Sequence, residues 1–340
     1  MSRSKSNLSN LELLGPVVVV MFIIGITLGA AGTFLYFHLG QQLPIITRIH
    51  STQTQYPYID PLLASEVSVK LTNQNSTLVN QMELLVNQYK KDKKINDVIV
   101  YFRDIEAGTW AGINEDSAFT PGKLLKIPLM ITYYKLAEDD SSILDQKLQL
   151  TNKYPAQEDI LGTPKHLVID QEYTVEQLIE AMIVDSDDRA ANLLFDNVDK
   201  TKLNEVFSDL GINFKEDKET QDYISLKSYS LFFRLLYNST YLTREYSEKA
   251  LELLLKADNT VGLGAGIPKD VPVANRHGAI VLTNGNTKTY QMSDCGVFYY
   301  PKHPYLVCAS VKGNTLSDVE TFLANLGKKI YVQTELQYKQ

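Results

Sequence analysis

After a short polar start the chain runs into an almost unbroken apolar stretch. Between positions 16 and 39 only Thr27, Thr33 and His38 interrupt a run of apolar and small residues. About 24 residues at ~1.5 Å rise reach ~36 Å, enough to cross a bilayer core with some tilt. Polarity then rises. Residues 41–56 are rich in Gln, Thr and Ser and read as a spacer. Tyr56, Pro57, Tyr58, Ile59, Leu62 and Leu63 are too apolar for a pure linker, so this segment is expected to dock on the folded domain. Leu78, Met82, Leu85 and Val86 recur with helical spacing over 76–89.

Residues 97–103 and 109–113 are β-branched and aromatic, with Glu106, Ala107 and Gly108 turning the chain between them, so they read as two strands. From Leu124 an apolar helix covers nearly its whole circumference, the pattern of a buried helix. Residues 141–150 read as a short helix and connector. Thr174 followed by Gln177 is a capping-box pattern that opens a helix through Met182. Asp185, Ser186, Asp187 and Asp188 interrupt it, and helix resumes over 190–195. Further helices are expected at 201–210, 225–236 and 243–256, and Gly262, Gly264 and Gly266 mark a loop. Three strands follow at 271–281, 291–300 and 305–312, and a last helix runs over 316–330. Strands at both ends with helices between them predict an α+β domain, an antiparallel sheet built from both ends beside a helical subdomain. One N-terminal transmembrane helix precedes it. The expected organisation is a cytoplasmic tail at 1–15, the anchor at 16–39, a juxtamembrane spacer at 40–75 and the folded domain at 76–340.

Charge sharpens this picture. Arg3 and Lys5 precede the apolar run and Arg48 is the nearest basic residue after it, a weak bias toward a cytoplasmic N-terminus and an extracytoplasmic domain in the cell membrane. Gly29, Ala30 and Ala31 have the look of a signal-peptidase site, but the apolar run continues through Phe37, so an uncleaved anchor is expected. Gly25 and Gly29 form a lone GxxxG pair, which leaves dimerisation open. The 340 residues carry a net charge of −7, and no Lys/Arg-dense run marks a nucleic-acid surface, so no nucleic-acid partner is expected. Cys295 and Cys308 are too few for a disulfide framework. If Tyr300 faces Tyr305 across the turn at 301–304, the two cysteines lie diagonally, where two buried thiols are expected rather than a bridge. No His/Cys/Asp cluster has metal-ligand spacing, so neither a metal nor another cofactor is expected. His166 and His303 sit in turn-like contexts.

The candidate chemistry begins at Lys123 and Lys126, one turn apart at the mouth of the buried helix. Lysine is rarely buried without a partner. Ser186, Asp187 and Asp188 form a second polar cluster, and Arg276, His277 and Gly278 a third, on a late strand. In this order the clusters resemble the S-x-x-K, S-D-N and K-T-G motifs of penicillin-recognising serine hydrolases, the class A β-lactamase and D-Ala-D-Ala peptidase family. The resemblance covers about 97–330 and includes flanks: Phe119 to Gly122 before the first cluster, Arg189 to Leu194 after the second, Pro272 to Asn275 before the third, and the hairpin around Asp294 and Pro304.

The resemblance implies roles for these residues. Lys126 aligns with the lysine that helps deprotonate the nucleophile. Lys123 stands where the nucleophilic serine is expected, and is not expected to act. Thr120 has hydroxyl-x-x-Lys spacing to Lys123, but it precedes Pro121 and so lies in the loop. Ser186 keeps the proton-relay hydroxyl. Asp188 replaces an asparagine and can only accept hydrogen bonds. Arg276 replaces a lysine and can still bind a carboxylate. His277 replaces a hydroxyl residue, and a neutral strand histidine with a hydrogen-bond partner is the alternative to a ligand role. Gly278 allows close approach to a ligand. Backbone NH groups of Lys123 and Ala279 would form the oxyanion hole. Glu216 and Glu219 lie in the region of the deacylating glutamate without repeating its loop.

Two arrangements are open for Asp188: a pair with Lys123 that offsets the cost of an added buried charge, or a helix cap with Lys123 turned to solvent. The expected function is a catalytically inactive relative that binds a carboxylate-bearing peptidoglycan-type ligand, β-lactam or protein partner. One alternative is an active β-lactamase or D-Ala-D-Ala peptidase with an unusual nucleophile, either Thr120 or a water activated by the lysine pair. Another is a structural, partner-binding domain whose cleft is filled by its own side chains.

Overall fold

The computed structural model describes residues 56–60, 74–154, 160–162, 167–212, 224–285 and 287–339. The expected anchor at 16–39, His166, Glu216 and Glu219 lie outside them. Among the described residues no helix is long and apolar enough to cross a membrane.

Helix α1 (Ser76–Lys91) starts at Asn75, whose side chain accepts from the Leu78 NH, and ends on Lys90 and Lys91, which suit the negative end of its dipole. Strand β1 (Ile95–Asp104) turns into β2 (Trp110–Ile113), and the short β3 (Ala118–Phe119) follows. A 3-10 turn (Gly122–Leu125) leads directly into α2 (Lys126–Asp139). The short helix expected within 141–150 is a 3-10 turn (Ser141–Asp145), but the connector after it is strand β4 (Lys147–Leu150), which pairs with β5 (Gln171–Thr174) in a second small sheet that the sequence pattern did not indicate. Helix α3 (Val175–Ile183) opens on the expected capping box of Thr174 and Gln177. Helices α4 (Asp188–Asn197) and α5 (Lys200–Ser208) follow. Strand β6 (Ile224–Ser225) pairs β3 and leads into α6 (Leu226–Tyr229), α7 (Leu231–Asn238) and α8 (Arg244–Lys256). Strands β7 (Val273–Asn284), β8 (Thr287–Phe298) and β9 (Tyr305–Gly313) precede the long α9 (Leu316–Tyr338).

The main sheet has the order β2-β1-β9-β8-β7, with every pair antiparallel. It joins both ends of the domain, as the α+β reading requires. Strand β1 is buried without a break from Val98 to Phe102 because both of its faces are covered. Alternation divides the interior. Val98, Val100 and Phe102 point to a core shared with α1 and α9, whereas Ile99 points to the larger core of the helical subdomain. The segment at 56–60 docks as expected. Ile59 enters the larger core, the Tyr58 NH donates to Glu248, and the Tyr299 hydroxyl donates to the Tyr58 carbonyl.

The last hairpin differs from the expected register. Phe298, not Tyr300, faces Tyr305. The Tyr299 NH leaves the ladder to bond Pro272, and the turn spans 299–304. This two-residue shift puts Cys295 directly opposite Cys308, and they form a disulfide. The bridge closes a loop with a sequence separation of 13. Replacing both cysteines by alanine is expected to lower the unfolding free energy by about 3 kcal/mol through loss of that closure. Urea unfolding of the oxidised chain measures it, and an unchanged midpoint would refute the expectation.

Candidate active site

Lys126 opens the buried helix α2 and is itself only 5% exposed. Its amine donates to the Ser186 carbonyl at 2.9 Å and pairs with Asp188 Oδ1 at 2.7 Å. Lys123, in the preceding turn, reaches Asp188 Oδ2 at 3.3 Å. Asp188 therefore holds both ammonium groups. The helix cap falls to its neighbour: Asp187 Oδ1 accepts from the Arg189 NH, and Asp187 Oδ2 accepts from the Leu167 NH. Of the two arrangements open in the sequence, the structure takes the ion pair.

Ser186 turns the chain between α3 and α4 at φ +61°, a left-handed conformation that costs a serine about 1 kcal/mol or more. The turn aims its carbonyl at Lys126, while its hydroxyl accepts from Arg276 at 2.7 Å. Arg276 also donates to the Ile183 carbonyl at 3.2 Å and is 3% exposed. It lies behind Ser186, tied to protein groups, rather than open at the cleft mouth as a ligand contact would be. Alternation along β7 points Gly278 the same way as Arg276 and turns His277 to the opposite sheet face, with Ala279. A Cβ at Gly278 would lie 2.6 Å from Lys123 Cβ, so only glycine lets the turn pack on this edge strand.

Two anchors of the turn were not legible as site residues. The Tyr229 hydroxyl donates to the Leu124 carbonyl at 2.7 Å, and Gln291 Nε2 donates to the Thr120 carbonyl at 2.8 Å. Neither carries a motif, because each acts through a backbone carbonyl more than 100 positions away.

Burial, and then Arg276, push the Lys126 amine down to about 7, with Lys123 adding to the effect and Asp188 opposing it. Burial disfavours the charged form of Asp188, but Lys126 and Lys123 outweigh it and hold the carboxyl below its usual range. Burial and the neighbouring cations thus weaken the hold of Lys126 on its proton, at the junction of the β7 edge and the helical subdomain.

A five-stranded antiparallel sheet, a helical subdomain inserted between its strands, and a lysine at the start of the buried helix define a serine β-lactamase-like domain. The family model described as the Beta-lactamase enzyme family matches residues 77–334, and the chain belongs to that family. Solved structures with this fold include PBP-A, 18% identical, covering 76% of this chain and 97% of that one at TM-score 0.64. A β-lactamase from Sphaerobacter thermophilus DSM 20745 is 20% identical, with coverage of 76% and 97% and TM-score 0.64. One from Chitinophaga pinensis DSM 2588 is 16% identical, with coverage of 75% and 99% and TM-score 0.64. A search of curated proteins returns no match.

The family match and the fold correct one expectation. The inactive reading took Lys123 to stand in place of a helix-opening serine and the nucleophile to be lost. A serine does open a helix of the enzymatic domain: Ser76, at the start of α1, directly before the matched region. The chain belongs to an enzyme family, and the reading of a catalytically inactive relative gives way to the active alternative. Ser76 is exposed and follows Asn75, whose NH bonds the Trp110 carbonyl on edge strand β2. Lys126 lies by the β7 edge. Four inter-strand steps separate those edges, roughly 19 Å.

Asp188→Asn is expected to leave Lys123 and Lys126 without their shared carboxylate and cost about 3 kcal/mol at neutral pH. Equal stability of variant and parent in urea would refute the pairing. Lys126 adds a pH signature. Its folded value, about 7, lies below its unfolded value near 10.5, so the unfolded chain binds more protons between them. Its contribution to stability therefore rises from pH ~7 to ~10.5. Lys126→Met should flatten that rise in urea titrations across the window.

Proposed function

We propose that the domain is an active acyl hydrolase of the penicillin-recognising type, acting on β-lactams or on the D-Ala-D-Ala end of peptidoglycan stem peptides. One observation carries this reading: Lys126 is held near neutrality beside the Ser186 carbonyl and Asp188, as a general base for acyl transfer must be. The family match supports it. One similar structure, a variant of PBP-A in an acyl-enzyme complex with penicillin G, 18% identical to this chain, supports the substrate class.

In the proposed mechanism the neutral Lys126 amine takes a proton from the attacking group. Backbone NH groups of Lys123 and Ala279 receive the developing oxyanion. The Ser186 hydroxyl passes the proton to the leaving nitrogen, oriented by Arg276. The Lys123 ammonium meets the substrate carboxylate. The attacking group is a water on Lys126, because Ser76 belongs to the other edge of the sheet. The disulfide supports an oxidising, extracytoplasmic compartment, and the apolar run at 16–39 supports attachment to the membrane.

Chromogenic β-lactam hydrolysis with intact-mass analysis tests the reading. Turnover should rise with pH through ~7 as Lys126 loses its proton. Lys126→Ala should lose about 100-fold or more. Ser76→Ala should leave the rate unchanged, and loss of activity there would move the nucleophile to Ser76. A covalent adduct would replace the water by a protein nucleophile, and no hydrolysis of β-lactams or D-Ala-D-Ala peptides would overturn the proposal.

A further inference from the structure

The outer sheet face is covered by α1 and α9, and this two-helix layer carries features that neither the core nor the cleft uses. Leu84 on α1 is 63% exposed, and Leu336 and Val332 on α9 are 56% and 36% exposed. They are half of the six exposed large apolar side chains among the described residues. A groove of about 390 Å³ runs between the helices, with Leu85, Tyr89, Lys328 and Val332 in its walls. A second groove, of about 260 Å³, continues the seam past Leu78 and Leu336.

Cations gather on the same layer. Positions 90–94 hold four lysines in five residues, a density that the sequence reading passed over. Lys90, Lys91, Lys93, Lys94 and Lys328 are exposed. Among the described residues no carboxylate pairs with any of the five. Asp92 sits alone among the four lysines of 90–94; Glu335 pairs with Lys339, Asp318 bonds Thr315, and Glu83 and Glu320 lie about two turns from the nearest of the five along their helices. Lys91 lies seven residues after Leu84. Lys328 lies four before Val332, itself four before Leu336. Lysine and aliphatic side chains thus share one outward stripe on each helix.

Exposed aliphatics flanked by lysines without carboxylate partners suit a lipid interface. The aliphatics enter the acyl boundary, the lysine stems lie along it, and the ammonium groups meet headgroup phosphates. A second copy fits poorly, because a two-fold contact would oppose the same five charges. We propose that the α1–α9 face is a docking surface for an anionic lipid membrane. The cleft belongs to the opposite sheet face, so docking leaves it open to water.

The test is amine-reactive footprinting of the full chain, read by mass spectrometry, in vesicles of phosphatidylcholine with or without phosphatidylglycerol. Labelling of Lys90, Lys91, Lys93, Lys94 and Lys328 should slow roughly threefold or more with the anionic lipid and recover at high salt. Lys202, on the helical subdomain, should label equally in both. Lys91→Glu combined with Lys328→Glu should abolish the slowing at Lys90, Lys93 and Lys94. Equal labelling in the two lipids would overturn the proposal. So would slowing that follows protein concentration without lipid, which would make the face a contact between copies.

Discussion

One carboxylate, Asp188, holds two ammonium groups at the junction of the sheet and the helical subdomain. Much around it follows from the cost of charge in a water-poor place. Lys126 is buried and faces Arg276 nearby, so its proton is weakly held, yet Asp188 keeps the amine in position. A carboxylate can serve both lysines only because Asp187 takes over the helix cap. Ser186 accepts an unfavourable backbone conformation between them, and in return its carbonyl meets Lys126 and its hydroxyl meets Arg276. The strain and the site occupy the same three residues.

The sheet acts as a divider. Its period of two sends Gly278 and Arg276 toward the cleft and His277 and Ala279 away from it. The same alternation separates the larger core, which holds α2 and α3, from the smaller one beneath α1 and α9. Chemistry and surface docking can then occupy opposite faces without sharing a side chain. It also bears on Ser76, which opens a helix as a nucleophile would but does so beside β2.

Much of this was legible in the chain. The capping box at Thr174, the buried character of α2 and the break at 185–188 are decided by neighbours within a turn or two, and they formed as expected. The order of the lysine, serine–aspartate and arginine clusters, together with their flanks and the elements around them, indicated the fold. Failures came where a contact closes a long loop or depends on register. The hairpin at 299–304 took two residues from the ladder because the Tyr299 NH found Pro272, and that shift made a disulfide of two cysteines expected to lie diagonally. Gln291 and Tyr229 support the lysine turn through backbone carbonyls, which leave no pattern in side-chain identity.

The sequence by itself determined the long helices and the strands of the main sheet, their order, and which residues carry charge into a buried helix start. These depend on periodicity and on the free energy of burying a side chain, which are properties of short stretches. Only the tertiary structure decided that Asp188 faces both lysines, that Arg276 turns inward to Ser186, that His277 looks away, and that exposed lysines and bare aliphatics share one outer face. Those outcomes rest on distances between residues tens to hundreds of positions apart. They are fixed when the sheet closes both ends of the domain around the helices, and no local pattern contains that closure.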